Sequence, residues 1–259
     1  MIVVDLPREA LLVSGRDAGS YLHSQLSNDI ASLAVGASTQ SLVLEPTGRV
    51  VALVRVTRRA DTEFVVDLAP GFLDVVAARL AKFKIRVQAD ISPLPVHCVA
   101  LRAASSLDPE SVTSAPTAGE GRKVLVLPAW WCDGRAFDLL STEPIAIERR
   151  GSLDDYEESR IAATWPEMGS EIVPGDTLPA ATGVVSATVS FSKGCYPGQE
   201  LVERMDSRGS TAPRTLRSVV VPIGSRVGDP FVIDGEAVGT ITSVSGDRAL
   251  AFVKRDVDV

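Results

Sequence analysis

The sequence predicts an α+β protein, with antiparallel sheets and flanking helices followed by a small C-terminal β-barrel. Three observations carry this. Strand-like and helix-like runs mix through the first two thirds without strict strand–helix alternation. The last third holds four short strand-like runs divided by Gly-Ser, Gly-Asp and Asp-Gly turns, the spacing of a small barrel or sandwich. The chain has 259 residues, 45% hydrophobic and 23% charged, enough to bury a core without disulfides or a structural metal.

Ser14-Gly15-Arg16-Asp17 reads as a turn into a short helix whose apolar positions Ala18, Tyr21, Leu22 and Leu26 line one face. Residues 41–45 and 49–56 flank Pro46-Thr47-Gly48, a hairpin signal in which proline presets one turn dihedral and glycine frees another. A third strand over 63–68 comes after the Ala60-Asp61-Thr62 turn. Pro70 opens a helix with Leu73, Val76, Leu80 and Phe83 on one stripe. Residues 85–87 and 95–101 read as strands, and 103–122, rich in Ser, Pro, Thr, Ala and Gly, as an exposed loop. Residues 123–127 and 136–140 read as a β pair with Asp133-Gly134 near its turn. Ser152 caps a helix running through Tyr156 and Ile161, with Asp154 and Asp155 near its positive end. An apolar strand over 184–191 leads into a Gly/Pro loop, and strands at 216–221, 231–233, 237–243 and 248–253 finish the chain.

Composition excludes several function classes. Lys and Arg number 26 against 33 Asp and Glu, a formal net charge of -7 that works against phosphate binding, so no direct nucleic-acid partner is expected. With His23 and His97 as the two histidines, a zinc enzyme has too few nitrogen ligands, and no metal site is expected. Cys98, Cys132 and Cys195 form no CxxC pair, and the odd count disfavours a secreted disulfide framework. The N-terminal residues lack the pattern of a signal peptide, and no apolar stretch approaches the ~18 residues of a membrane span. A soluble, cytoplasmic protein without a membrane partner is expected.

One stretch carries chemistry: Ser192-Lys193-Gly194-Cys195-Tyr196-Pro197-Gly198-Gln199-Glu200-Leu201-Val202. Pro197 suits a helix's first turn, which places Cys195 just ahead of a helix N-terminus and two residues from Lys193. The helix dipole and the ammonium both favour thiolate over thiol. The plainer alternative is a small apolar residue in a tight loop. A cysteine hydrolase needs a histidine base, and His97 in Val-His-Cys-Val reads as a core histidine. Cys98 and Cys132 read as packing residues.

These residues carry a resemblance. Lys193 to Glu200 resembles the K-G-C-Y-x-G-Q-E signature of the YgfZ family of folate-binding proteins, relatives of the glycine-cleavage T-protein (aminomethyltransferase). Gly15-Arg16-Asp17-Ala18 with Gln25-Leu26-Ser27-Asn28-Asp29 is similar to the family's G-x-D-A … Q-L-T-N-D pattern. Pro46-Thr47-Gly48-Arg49 resembles its P-x-G-R turn and Lys82-Phe83-Lys84-Ile85 its K-F-x-I. Arg204-Met205 with Arg208-Gly209 resembles the R-M-x-x-R-G tail.

The resemblance implies a T-protein-like, multi-subdomain fold around a central pocket. Residues 1–212 would form a folate-binding body of two interleaved subdomains and residues 213–259 the barrel. It implies tetrahydrofolate as cofactor, iron–sulfur client or cluster-assembly proteins as partners, and Cys195 with Lys193 as the reactive pair. Tyr156, Tyr196, Gln199, Glu200, Arg204 and Arg208 are the folate-binding candidates. A Tyr156 ring would stack on the pterin and the arginines would meet its glutamate tail. Core packing and solvated arginines are the plainer alternatives.

Two departures matter. T-proteins carry an aspartate pair shortly after the hairpin glycine, where this chain has Gly48-Arg49-Val50-Val51-Ala52, so aminomethyl transfer is not expected. Arg160-Ile161-Ala162-Ala163-Thr164-Trp165-Pro166 resembles R-x-E-A-G-x-P, with Ala162 in place of the acid that meets the pterin. The expected function is a folate-binding accessory protein for assembly or repair of iron–sulfur enzymes. The alternatives are a tetrahydrofolate-dependent one-carbon (aminomethyl or methyl) transferase and a folate-binding scaffold whose cysteine has no reactive role.

Overall fold

The computed structural model describes residues 1–102, 124–131, 136–207 and 212–258. Its architecture is mixed, with antiparallel sheets and few helices. The chain divides into two compact units: Met1–His23, Ile30–Gln40 and Val54–Tyr156 form one, and Ser24–Asp29, Ser41–Leu53 and Glu157–Val259 the other.

The first unit holds a four-stranded sheet in the order β1 (Ile2–Asp5), β7 (His97–Arg102), β9 (Ala136–Ser141), β8 (Leu125–Pro128). Most of a five-stranded sheet also belongs to it, in the order β3 (Ser38–Leu44), β4 (Val50–Ala60), β5 (Glu63–Leu68), β2 (Glu9–Ser14), β6 (Asp90–Leu94). Strands β3 and β4 each start in one unit and end in the other. The first eight residues of β4 are all buried, the signature of a strand covered on both faces. Helix α1 (Ala18–Gln25) buries Ala18, Tyr21 and Leu22, as its spacing predicts. Helix α2 (Leu73–Lys82) has no side-chain cap at Phe72; instead Glu9 Oε2 accepts the Gly71 and Leu73 N–H groups at 3.0 and 3.1 Å. Helix α3 (Leu153–Ala162) starts with a reciprocal cap. Ser152 Oγ accepts the Asp155 N–H and Asp155 Oδ2 accepts the Ser152 N–H.

A buried charge network joins the two sheets within this unit. Arg55, 1% exposed, places Nε and Nη2 on the two oxygens of Asp67 (2.9 and 3.0 Å) and Nη1 on Asp138 (2.7 Å). Arg8 adds a second guanidinium to Asp67, and Arg102 one to Asp138. Desolvation opposes ionisation of Asp138, and the adjoining arginines outweigh it, holding the carboxyl below its ordinary range.

The second unit ends in a sheet ordered β10 (Arg214–Val220), β13 (Arg248–Lys254), β12 (Glu236–Ser245), β11 (Pro230–Ile233). Val219, Val238, Ile241 and Val253 pack its buried face. The expected barrel is not what these pairings make: β10 and β11 are edges of an open sheet, and no pairing among the described residues closes it. Strand β11 is four residues long and opens with Pro230, which lacks the N–H a further ladder needs. Arg160 lies buried here, its fork on Glu157 and its other donors on Glu171, Ser243 Oγ and Trp165 O.

Three other expectations change. Residues 85–87 form no strand; Ile85 is 75% exposed and Arg86 sits at φ 57°, so strand β6 starts later, at Asp90. Residues 184–191 begin as a helical turn, α4 (Val185–Thr188), which buries Val184 and Thr188 four apart with the Thr188 hydroxyl on Val184 O. His97 opens β7 on its exposed end instead of lying in the core. Cys98 is a packing residue as expected, buried with Ala10, Val65, Leu127 and Leu140, and burial pushes its thiol well up. The 103–122 loop, Lys123, Cys132 and Asp133-Gly134 lie outside the described residues.

Removing one partner of a buried charge cluster strands the others. Arg55→Ala is expected to cost about 3–5 kcal/mol in urea unfolding. Arg149→Ala, whose pair with Asp5 is solvent-exposed, is expected to cost less than about 1 kcal/mol.

Candidate functional site

The motif loop lies in the second unit and is fixed at both ends. At its start the Ser190 N–H donates to Ser27 O at 3.0 Å, and Ser27 Oγ donates to Thr188 O at 2.7 Å. Leu26 bridges to Val43, so the 24–29 segment is tied both to β3 and to the approach to the loop. At its end the loop enters helix α5 (Gln199–Ser207) through Gly198, at φ 87°. A Cβ on Gly198 would lie 2.6 Å from Glu45 O and 2.9 Å from Gly48 Cα. Gly48, also at φ 87°, closes the Pro46-Thr47-Gly48 turn with its N–H on Glu45 O at 2.8 Å. Two backbones touch here because neither residue has a side chain. The hairpin signal and the cysteine motif, far apart in sequence, are one contact.

Lys193 crosses the 24–29 segment. Its Nζ donates to the carbonyls of Leu26 (2.6 Å) and Asn28 (3.2 Å) and lies 5.1 Å from the centre of the Tyr196 ring. Burial pulls the ammonium down to about 8, partly opposed by the Asp29 carboxylate. The ammonium that the sequence pairs with Cys195 therefore also serves two backbone carbonyls. Cys195 is an exposed free thiol, one loop ahead of the first residue of α5.

Tyr196 turns inward. It is 6% exposed, and its hydroxyl has no hydrogen-bond partner among the described residues. Burial, reinforced by the Glu203 charge, pushes the phenol up to about 12. Gln199 donates to Glu203 Oε1 at 2.5 Å and Arg204 donates to Glu200, each one turn along α5. Beside them, Pro179, Gly183, Val185, Val202 and Met205 line an apolar groove of about 240 Å³. That is below the roughly 300–1,000 Å³ of most small-molecule sites.

Tyr156 belongs to the first unit. It is buried with Val4 and Ala100, its ring 5.2 Å from that of Trp131 and 5.1 Å from the Arg102 guanidinium. Arg208 lies outside the described residues. Val50 and Val51, in the stretch after the hairpin glycine, are buried at the start of β4, and the Val50 N–H donates to Thr177 O. Ala162 is exposed at the end of α3, while Arg160 is absorbed in the buried network described above. Sequence reasoning missed the Leu26 and Asn28 carbonyls as partners of Lys193, although the Gln25 to Asp29 pattern marked their segment. The inward Tyr196 hydroxyl left no such signal.

No family model matches the chain. The tRNA-modifying protein YgfZ of Edwardsiella ictaluri is 29% identical over 220 residues, 76% of this chain and 64% of that protein. The mitochondrial iron-sulfur cluster assembly factor IBA57 of Mus musculus is 28% identical over 189 residues, 70% of this chain and 50% of that one. Over most of its length the chain is thus similar to proteins named YgfZ and IBA57. It spans half to just under two thirds of the length of these two relatives. The fold of the chain is also that of the glycine cleavage system aminomethyltransferase T of Bartonella henselae. The TM-score is 0.77 at 20% identity, over 97% of this chain and 78% of the other. Among the described residues no helix is long and apolar enough to cross a membrane, and no three His, Cys, Asp or Glu side chains gather as a metal site.

Gly198→Ala is expected to cost at least about 1–3 kcal/mol, because its φ and the Glu45 carbonyl both exclude a Cβ. Gly194→Ala, with nothing within 4 Å, is expected to stay within about 0.5 kcal/mol of wild type in the same denaturation assay. For Lys193 the unfolded chain holds the extra proton between about 8 and 10.5, so its burial opposes folding below that window and the cost is relieved as pH rises through it. Wild type is therefore expected to gain stability relative to Lys193→Met from pH 8 to 10.5, and a constant difference would remove the burial argument.

Proposed function

We propose that this protein is a folate-binding accessory factor in the assembly or repair of iron–sulfur enzymes, acting through the Cys195 thiol. The observation that carries the reading is an exposed thiol on a loop held at both ends by backbone contacts, inside the family's K-G-C-Y-x-G-Q-E signature. Such a loop presents sulfur to a partner without having to order itself first.

A single thiolate cannot hold a cluster, since clusters take several. Cys195 therefore acts transiently, by thiol exchange or as a ligand shared with the client. The functions for which the relatives are named, iron–sulfur assembly and tRNA modification, meet if the client is an iron–sulfur enzyme that modifies tRNA. The net charge of -7 fits a role beside such an enzyme better than direct contact with the RNA.

The residues present fit a folate in part. The buried Tyr196 hydroxyl, unpaired among the described residues, is a polar group awaiting a partner, and Arg204 can exchange Glu200 for a carboxylate of the folate tail. The Tyr156 ring is enclosed, so it is left out of this set. A bound tetrahydrofolate would supply one-carbon chemistry. With valines in the stretch after the hairpin glycine, this chain offers no carboxylate there to protonate the reacting nitrogen.

The deciding experiment is rescue of an oxidation-sensitive [4Fe–4S] enzyme in cells lacking this protein. Wild type is expected to restore the enzyme's activity and Cys195→Ala to leave it near the level of the deletion. Full rescue by Cys195→Ala would place the function elsewhere in the chain.

A further inference from the structure

We propose that the free edge of Arg102, in the first unit, is the recognition element of a second small-molecule site, one that binds a carboxylate. Such a site is independent of the Cys195 loop and of the function proposed for it.

Arg102 is the last residue of β7 and is 5% exposed. Its Nη1 donates to Leu101 O, Phe137 O and Asp138 Oδ1, all at 2.9 Å. Nε and Nη2, the opposite edge, are buried and have no acceptor among the described residues. A buried donor without a partner costs roughly 1–3 kcal/mol, more on a charged group, so two on one guanidinium call for an explanation.

Arg55, Arg160 and Arg8 show what such an edge can hold. Arg55 puts Nε and Nη2 on the two oxygens of Asp67, and Arg160 puts the same pair on Glu157. Arg8 directs both atoms at Asp67 Oδ2. In each case a carboxylate fills the fork, which matches its geometry better than any other protein group. The Arg102 fork is built alike and, among the described residues, unfilled.

Charge counting leads to the same place. Among the described residues of this cluster, Arg8, Arg55 and Arg102 share two carboxylates, Asp67 and Asp138, so three positive charges meet two negative ones. A buried excess of one positive charge is expensive unless an anion joins it. The Trp131 and Tyr156 ring centres lie 4.6 and 5.1 Å from the Arg102 guanidinium carbon and 5.2 Å from each other, so both rings stand on one side of the group. Trp131 is only half-buried, so the surroundings of the fork reach solvent. A small monocarboxylate, or one carboxylate of a larger molecule, supplies both the missing charge and the two missing acceptors.

The test titrates the full chain with sodium benzoate, sodium glutarate and sodium phosphate, each against sodium chloride at matched ionic strength. Melting temperature and tryptophan fluorescence are the readouts, since a ligand that binds the native state raises the former by mass action. Benzoate or glutarate is expected to give a saturable rise, with phosphate weaker. Arg102→Lys keeps the charge beside Asp138 and loses the fork, and is expected to weaken binding at least tenfold while its circular dichroism stays that of wild type. Cys195→Ala is expected to bind as wild type does, which separates this site from the motif loop. No saturable response to either carboxylate, an unchanged response in Arg102→Lys, or tighter binding of phosphate would each overturn the proposal.

Discussion

A guanidinium shut away from water has to be met by carboxylates, and Arg55 is met by two that come from different sheets. Much of the first unit's geometry depends on that requirement. Arg55 stands directly opposite Asp67 in the β4–β5 register, so a slip of one residue would turn it to the other face and break the pair. Asp138 is fixed in turn by the pairing of β9 with β7, where it faces Ala100. The Trp130 ring lies between Arg8 at 4.3 Å and Arg55 at 5.0 Å, which covers the cations with apolar surface. An electrostatic demand thereby sets strand register, a task that hydrophobic alternation performs in most sheets.

The second unit answers to a different constraint. There the decisive contact has no side chains in it: Gly198 against Gly48 and the Glu45 carbonyl. Because backbone meets backbone, the position of the cysteine loop is set by the hairpin turn and not by rotamers that can relax. Lys193 tightens the other end through two carbonyls of the 24–29 segment. The result is an exposed thiol on a loop fixed at both ends.

The parts of this arrangement that sequence makes legible are local. The helix over α3 is announced by Ser152 and the acids after it, β5 by its short apolar run, and α5 by Pro197 at its approach. The cysteine loop is legible because glycine, proline and cysteine at fixed spacing have few other uses. What sequence conceals is partnership at a distance. Glu9 caps a helix on the far side of a hairpin, Tyr196 buries a hydroxyl without a partner among the described residues, and Arg102 uses only Nη1 of its three nitrogens there, and none of these alters local periodicity. Residues 184–191 mislead for the opposite reason: a run of β-branched residues has strand propensity, and the Thr188 hydroxyl on Val184 O holds a turn of helix instead. The open C-terminal sheet escapes a sequence reading because short strands and turns of this kind suit a barrel and a sheet equally.

The interleaving of the two units bears on how the chain is made. Segments Ser24–Asp29 and Ser41–Leu53 leave the ribosome early, yet the rest of their unit starts at Glu157. Leu42, Val43, Leu44 and Val51, all buried in the finished protein, are thus translated well ahead of most of their own unit. A nascent chain of this design depends on slow, late closure and on whatever shields apolar strands in the meantime.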